Sequence, residues 1–304
     1  MKMTFVKKVI GLGAVALLAV GLVACGNAEE NDKKDSEKSV AESLDYKIVG
    51  IDPGANIMST TEKAIEEYEL TGMKLVSGSG ATMTAALKRA YDKEQPIVVI
   101  GWTPHWKFAE FDLKFLEDPK GLYGGAEQIR TIGRLGLADD LPEAHQILSR
   151  FKWTEDDMNE VMKAIYEGEK EQVAAQSWID ANPDKVGEWT AGVDKVNGDK
   201  IKLVYVAWDS EIASHNVMKL VLEDMGYQVN LMQVESGPMW TAVADGSADA
   251  SLTAWLPLTA KAYADKFEGQ FEELGVSVDG VKVGLVVPQY MDIDSIEDLK
   301  GKIE

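Results

Sequence analysis

The stretch Leu203-Val204-Tyr205-Val206-Ala207-Trp208 is an apolar, strand-like run that ends in one small residue followed by a tryptophan. The same pattern occurs twice more, at Ile97-Val98-Val99-Ile100-Gly101-Trp102 and at Leu252-Thr253-Ala254-Trp255. In open α/β sheets the ligand crevice lies outside the carboxyl ends of the strands, so residues that follow three strands can converge on one cavity. The pattern therefore predicts an α/β protein with three tryptophans at one binding site. For any single tryptophan a place in the hydrophobic core is the alternative, because large aromatic side chains dominate cores.

Three indole rings at one site suit a cation. The face of an aromatic ring attracts positive charge through its quadrupole. A quaternary ammonium ion has no N–H group to donate, so stacked aromatic walls are the best way to hold it. Trp102, Trp208 and Trp255 therefore indicate a small ligand of this chemical class.

The chain also contains an internal repeat around these tryptophans. Each copy has a strand that ends in an aspartate, a helical run, a Ser-Gly pair at the same distance, a second helical run and a Trp-x-Pro motif. The matching pairs are Asp52 and Asp209, Ser79-Gly80 and Ser236-Gly237, and Trp102-Thr103-Pro104 and Trp255-Leu256-Pro257. Alternating strands and helices predict parallel βαβ units, and two such lobes that face each other form a cleft.

Two further segments, residues 131–136 and 283–288, are typical of strands that run from one lobe to the other. We therefore expect lobe I to comprise residues 44–129 and 283–304, and lobe II to comprise residues 130–282. Two lobes also agree with the length, because about 260 residues exceed what one small hydrophobic core usually holds.

The other five tryptophans do not follow strands. Trp153, Trp178 and Trp189 lie at the caps or on the faces of predicted helices, which indicates packing. Trp106 and Trp240 fit either packing or the wall of the cleft, and the sequence alone does not decide between them.

The first 24 residues have the features of a secretion signal. Lys7 and Lys8 precede an apolar stretch that is too short for a transmembrane helix and ends at Cys25. Cys25 is the only cysteine, and Leu22-Val23-Ala24-Cys25 resembles the bacterial lipobox, in which the cysteine receives lipid. We expect a lipid anchor on the extracellular face of the cell membrane. Residues 25–43 have almost no apolar content and predict a flexible tether.

Charge and composition argue against several other functions. The formal net charge of −20 disfavours nucleic acid or an anionic membrane surface as a partner. His105, His145 and His215 are too scattered for a metal site, and no Gly-x-Ser-x-Gly motif is present. We therefore expect no catalytic residue, metal or cofactor. Asp52 and Asp209 could form a catalytic pair, but their equivalent places in the repeat favour a structural role.

Several motifs together resemble the glycine betaine-binding lipoproteins of compatible-solute ABC importers. They are Gly-Ile-Asp-Pro-Gly at 50–54, Gly-Trp-Thr-Pro-His-Trp at 101–106, Val-Ala-Trp-Asp-Ser-Glu-Ile-Ala-Ser at 206–214, Gly-Pro-Met-Trp at 237–240, Ala-Trp-Leu-Pro at 254–257 and Gly-Leu-Val-Val-Pro-Gln-Tyr-Met at 284–291. The resemblance implies a two-lobed type II periplasmic-binding-protein fold, circularly permuted, with the ligand cleft between the lobes. It implies a receptor, not an enzyme, that delivers glycine betaine or a related osmoprotectant to a permease.

The resemblance also implies roles for single residues. The family's tryptophan cage falls on Trp102, Trp208 and Trp255, and its carboxylate-binding backbone N–H groups fall on Asn56 and Ile57. Some members place a carboxylate-binding histidine five residues after the last tryptophan, where this chain has Ala260. Without that histidine we expect binding to vary little between pH 5 and 8. Carnitine, choline, proline betaine and sulfonium analogues stay open as ligands, and a surface enzyme that acts on such compounds is a weaker alternative.

The lipid anchor can be tested directly. Replacing Cys25 with Ala removes the only thiol that can carry lipid, so the protein should leave the membrane fraction and appear in the medium. Cell fractionation with immunoblotting measures this. A variant that stays in the membrane fraction with its signal removed would contradict the anchor.

Overall fold

The structure, a computed structural model, describes residues 38–300. The predicted signal peptide, Cys25 and most of the predicted tether lie outside the described residues. The strands are β1 Lys47–Val49, β2 Lys74–Val76, β3 Val99–Thr103, β4 Leu113–Phe115, β5 Glu127–Arg134, β6 Lys200–Tyr205, β7 Gln228–Gln233, β8 Ala250–Leu256 and β9 Phe271–Pro288. The helices are α1 Val40–Ser43, α2 Asn56–Glu67, α3 Gly80–Tyr91, α4 Lys107–Glu110, α5 Leu137–Asp140, α6 Pro142–Arg150, α7 Glu155–Tyr166, α8 Glu171–Ala181, α9 Pro183–Thr190, α10 Asp209–Asp224, α11 Ser236–Ala244, α12 Lys261–Lys266 and a 3₁₀ helix Ile296–Leu299.

The strands pair in the order β2-β1-β3-β9-β5-β8-β6-β7, and β4 also pairs with β9. In one half, β1 runs parallel to β2 and β3, and β3 runs antiparallel to β9. In the other half, β6 runs parallel to β7 and β8, and β8 runs antiparallel to β5. The same arrangement in both halves is the internal repeat that the sequence predicts, and it gives the chain a two-lobed α/β fold.

Strand β9 joins the two halves of the sheet, whereas β5, which contains most of the predicted crossing segment 131–136, pairs among the described strands only with β8 and the first part of β9. The first part of β9 pairs with β5, up to Val281 opposite Glu127. From Lys282 onward β9 pairs with β3, and its last residues also pair with β4. The change of partner lies one residue before the boundary at 282/283 that we expect from the sequence. One continuous strand of 18 residues therefore belongs to both halves.

The first and last described segments meet. Ser39 caps α1 through a capping box with Glu42, and Ala41 is fully buried. Helix α1 contacts the 3₁₀ helix at 296–299, whose Ile296 and Leu299 are also fully buried. Residues 39–43, which the sequence assigns to the tether, therefore belong to the folded body, because the apolar side of this short helix covers the core.

The long connection between β5 and β6 is helical, as the sequence predicts, and it packs around a cluster of tryptophans. Thr154 caps α7 and accepts a hydrogen bond from the Asp157 backbone N–H. Trp178 stacks with Trp189 at a centroid distance of 5.9 Å and meets Trp153 edge to face. These three side chains are buried and stabilise the fold, as expected.

Among residues 38–300, no helix combines the length and apolarity needed to cross a bilayer.

Candidate ligand-binding site

The three tryptophans predicted from the strand ends meet in one cavity. Trp102 and Trp255 are the last but one residues of β3 and β8, and Trp208 caps the start of α10 shortly after β6. All three line a cavity of about 50 Å³ between the two lobes. This volume is enough for roughly four waters. Trp102 and Trp255 are almost fully buried, so their rings face the cavity in a largely water-excluded environment.

Asn56 and Ile57 line the same cavity at the start of α2. The first N–H groups of a helix have no partner inside the helix, and they lie at the positive end of its dipole. Neither residue donates a backbone hydrogen bond within residues 38–300. The structure therefore places two free donors beside the tryptophans, although their role in binding a ligand stays a prediction.

Further residues line the cavity, and of these the sequence placed Ala260 at its carboxylate end and left Trp240 open. They are Ile51, Ala55, Glu211, Ser236, Met239, Trp240, Thr253, Ala254, Thr259, Ala260, Tyr263 and Val283. Trp240, whose position the sequence left open, is buried here and stacks with Tyr263 at 6.0 Å. Trp240 belongs to the motif at 237–240, near the start of the second helix of the second repeat copy. This motif was the sequence signal that could have placed Trp240 at the cavity. Trp106 does not line the cavity.

Two reciprocal hydrogen bonds join the lobes beside the cavity. The indole N–H of Trp208, in lobe II, donates to Asp52 in lobe I at 2.9 Å. The indole N–H of Trp106, in lobe I, donates to Asp209 in lobe II, also at 2.9 Å. The two aspartates occupy equivalent places in the repeat, and each one binds a tryptophan of the opposite lobe. This geometry supports the structural role for Asp52 and Asp209 over the catalytic pair.

Asp209 is also held by a buried cluster of basic groups. His105 Nε2 lies 3.5 Å from Asp209 Oδ2. Burial raises the pKa of Asp209, but contacts with His105 and Trp106 outweigh it, so the carboxylate titrates below its usual range. Burial, with help from the charge of Lys107, lowers the pKa of His105 to about 4. At neutral pH the imidazole is therefore uncharged while Asp209 is ionised.

Lys107 lies behind one wall of the cavity. Its side chain is completely buried, and Nζ is 4.2 Å from the centroid of the Trp102 ring. No hydrogen-bond acceptor for Nζ is found among the described residues. Burial lowers the pKa of Lys107 to about 7, with an opposing effect of Asp209. When protonated, Lys107 therefore makes a cation-π contact with Trp102 from within the protein.

The loop after Trp255 is fixed by a buried carboxylate. Glu127 accepts hydrogen bonds from the backbone N–H groups of Leu258 and Thr259, at 3.1 and 2.9 Å, and from the Thr259 hydroxyl. The single hydroxyl proton of Thr259 is therefore used by Glu127 and is not free for a ligand. Ala260 lines the cavity, and its backbone N–H donates to the Trp255 carbonyl. The place of the family's histidine thus offers no hydrogen-bond donor to the cavity.

Comparison with known proteins identifies the family. The family described as the substrate binding domain of ABC-type glycine betaine transport systems, OpuAC, matches residues 29–181 and 199–304. This chain belongs to the OpuAC family. Within residues 38–300, no group of histidine, cysteine, aspartate and glutamate side chains is arranged to hold a metal ion.

Three known proteins are similar to this chain. The glycine betaine/carnitine transport binding protein GbuC of Listeria monocytogenes is 49% identical over 297 residues, which cover 97% of this chain and 98% of that protein. Lactococcal OpuAC, solved in a closed form with glycine betaine, is 43% identical with a TM-score of 0.47, over 48% of this chain and 57% of its own. The glycine betaine/L-proline-binding protein ProX of Borrelia burgdorferi is 32% identical with a TM-score of 0.47, over 52% and 63%.

The bond between Asp52 and Trp208 predicts an effect on binding. Asp52→Ala removes the acceptor that orients the Trp208 indole, so affinity for a quaternary ammonium ligand should fall by about 1.5–3 kcal/mol, the range for hydrogen bonds to charged groups. Calorimetric titration of Asp52→Ala, Trp208→Phe and the double variant measures their coupling. Asp92→Ala, which removes an exposed partner of Lys88 far along α3, is the control and should bind normally. Additive effects of Asp52→Ala and Trp208→Phe would show that the hydrogen bond does not contribute.

Proposed function

We propose that this OpuAC-family protein is the substrate-binding receptor of an ABC importer and that it captures glycine betaine outside the cell. One observation carries the proposal: three indoles contributed by both lobes line a single cavity together with the free N–H groups at the start of α2. An aromatic wall suits the quaternary ammonium group, and helix N-terminal donors suit the carboxylate. The name of GbuC, which includes glycine betaine and carnitine, supports the same ligand class.

The energies of these contacts are sufficient for a receptor. Each cation-π contact contributes roughly 0.5–2 kcal/mol, and three together contribute roughly 1.5–6 kcal/mol. Micromolar binding requires about 8 kcal/mol. Charge-assisted hydrogen bonds from Asn56 and Ile57 to the carboxylate would supply a further part, at about 1.5–3 kcal/mol each. Both ends of the zwitterion are therefore needed.

The two donors also give a basis for selection. Choline has the ammonium group but no carboxylate, so it would leave the N–H groups of Asn56 and Ile57 buried without partners, at about 1–3 kcal/mol each. Carnitine and proline betaine carry both charged groups. The second candidate ligand is carnitine, because the relative GbuC is named for it as well.

The proposed receptor acts at the membrane, where a permease receives the ligand. Lipidation of Cys25 after removal of residues 1–24 would keep it on the extracellular face, and the acidic segment after Cys25 would act as a tether. Import of a charge-balanced solute of this kind protects cells against osmotic stress. The lipid anchor and the osmoprotective role are part of the proposal.

Substitution of the tryptophans tests the proposed site. Trp102→Ala, Trp208→Ala and Trp255→Ala should each weaken glycine betaine binding by about 1–3 kcal/mol, roughly 5- to 150-fold, because each removes one aromatic wall. Isothermal titration calorimetry on the soluble protein measures the affinities. Trp189→Phe is the control, since Trp189 packs against Trp178 and Phe151 outside the cavity and should change only thermal stability. Wild-type affinity in any two of the three cage variants, with intact folding, would refute the site.

A further inference from the structure

The cavity wall contains a buried carboxyl group that the proposed mode of binding does not use. Glu211 is three residues after Trp208, in the first turn of α10, and it is completely buried. Its Oε2 accepts a hydrogen bond from the Val206 backbone N–H at 2.6 Å. Its Oε1 has no partner in the hydrogen-bond geometry of residues 38–300. One oxygen therefore fixes the side chain, and the other is shielded from water in the cavity wall, which it shares with Thr253.

The protonation state of Glu211 is poised to change. Burial raises the pKa of Glu211 to about 8, against the opposing effects of the Val206 N–H and of Thr253, which also lines the cavity. The carboxyl group of the free protein is therefore mostly protonated at pH 7. The dipole of α10 favours the ionised form at this position, so a nearby cation needs to supply only part of the energy of ionisation.

Other titratable groups lie around Glu211, and their protonation states decide which of them could change the pH dependence of binding. Burial lowers the pKa of His215, one turn along α10, to about 4, so it is neutral above pH 6. Burial raises the pKa of Tyr205, at the end of β6, so it is neutral below pH 9. Asp209 on the same helix is ionised. Lys107, behind Trp102, is the one group of this set other than Glu211 that titrates between pH 6 and 9.

We propose that Glu211 is the counter-charge of the aromatic cage, and that its carboxyl group releases its proton to solvent when a quaternary ammonium ion enters. The inference rests on the proposed function only in requiring such a cation in this cavity. The O–H bond of Glu211 breaks, the proton goes to the buffer, and the carboxylate then faces the cation. No oxidant, reductant or other reactant is involved.

The proposal predicts the direction in which affinity changes with pH. Binding stabilises the ionised form, so the pKa of Glu211 falls on binding and one proton leaves. Affinity should therefore rise as the pH rises toward 8, and should level off once Glu211 of the free protein is ionised. This replaces the flat pH dependence expected from the sequence, which assigned no titratable group to the cavity. The affinity for a cation without a carboxylate should rise more with pH than the affinity for glycine betaine. Ionised Glu211 repels the carboxylate of glycine betaine and so offsets part of its gain.

Calorimetric titration with glycine betaine and with tetramethylammonium tests this between pH 6 and 9. Each titration is repeated in two buffers of different ionisation enthalpy, which counts the protons released. The wild-type protein should release between half a proton and one proton at pH 7, and its affinity should rise at least fivefold from pH 6 to pH 8. Glu211→Gln keeps an oxygen that can accept from Val206 N–H, so it should fold, release no proton and bind with little pH dependence.

The variant Lys107→Met distinguishes the effect of Lys107 titration on binding from the effect of Glu211 titration. A pH profile that persists in Lys107→Met and disappears in Glu211→Gln supports the proposal. A profile that disappears in Lys107→Met and persists in Glu211→Gln overturns it, as does wild-type binding without proton release. Infrared difference spectra of the wild-type protein give a test without variants: the band of a protonated carboxyl group should vanish on binding, and an unchanged band would overturn the proposal.

The two probes also separate this inference from the proposed function. If tetramethylammonium binds with proton release and glycine betaine does not bind, Glu211 keeps its role and the proposed ligand is wrong. If glycine betaine binds without proton release, the receptor function stands and the role of Glu211 is wrong. If neither compound binds to the folded protein, both are overturned.

Discussion

A quaternary ammonium ion offers no hydrogen-bond donor, so a protein holds it by aromatic faces in a place from which water is excluded. The position of the three tryptophans fits this constraint. Trp102 comes from one lobe and Trp208 and Trp255 come from the other, and the cavity exists because the lobes meet around it. A site between two lobes can admit the ligand when the lobes are apart and remove it from water when they come together.

Two residues of the cavity wall, Trp208 and Tyr263, also take part in the contacts that join the lobes. Trp208 presents its ring to the cavity while its N–H group donates to Asp52 of the opposite lobe. Asp209, the next residue, accepts from Trp106 of lobe I, and the Trp106 ring stacks on Tyr166 of lobe II at 3.6 Å. Tyr263 adds a bond from its hydroxyl to the carbonyl of Gly54 at 3.1 Å. In this structure Trp208 therefore belongs both to the cavity wall and to the contacts between the lobes.

Much of this plan could be predicted from local sequence. The three strand ends identified Trp102, Trp208 and Trp255, because strand period and a following small residue are local signals that survive folding. The repeat of Asp, Ser-Gly and Trp-x-Pro predicted the matched halves of the sheet. The length of β9 and the folding of residues 39–43 onto the core could not be predicted, since both depend on partners distant in the chain.

The polar half of the site was harder to predict. Trp208 and Asp52 are 156 residues apart, and neither local sequence contains a signal that predicts their contact. Glu211 has the position of an ordinary acidic residue in the first turn of a helix, which is common and stabilising in itself. Only the burial of its side chain and the position of Thr253 on the neighbouring strand give it a place in the cavity wall. Tertiary structure therefore decides which of these common residues lie in or beside the cavity wall.

A crystal structure of the protein with glycine betaine tests the central claim most directly. The account predicts the ammonium group within about 6 Å of the ring centroids of Trp102, Trp208 and Trp255. It also predicts the carboxylate within hydrogen-bond distance of the N–H groups of Asn56 and Ile57, with the Asp52 to Trp208 bond in place. Glycine betaine bound outside this cavity, or with its carboxylate among the three indoles, would contradict the account.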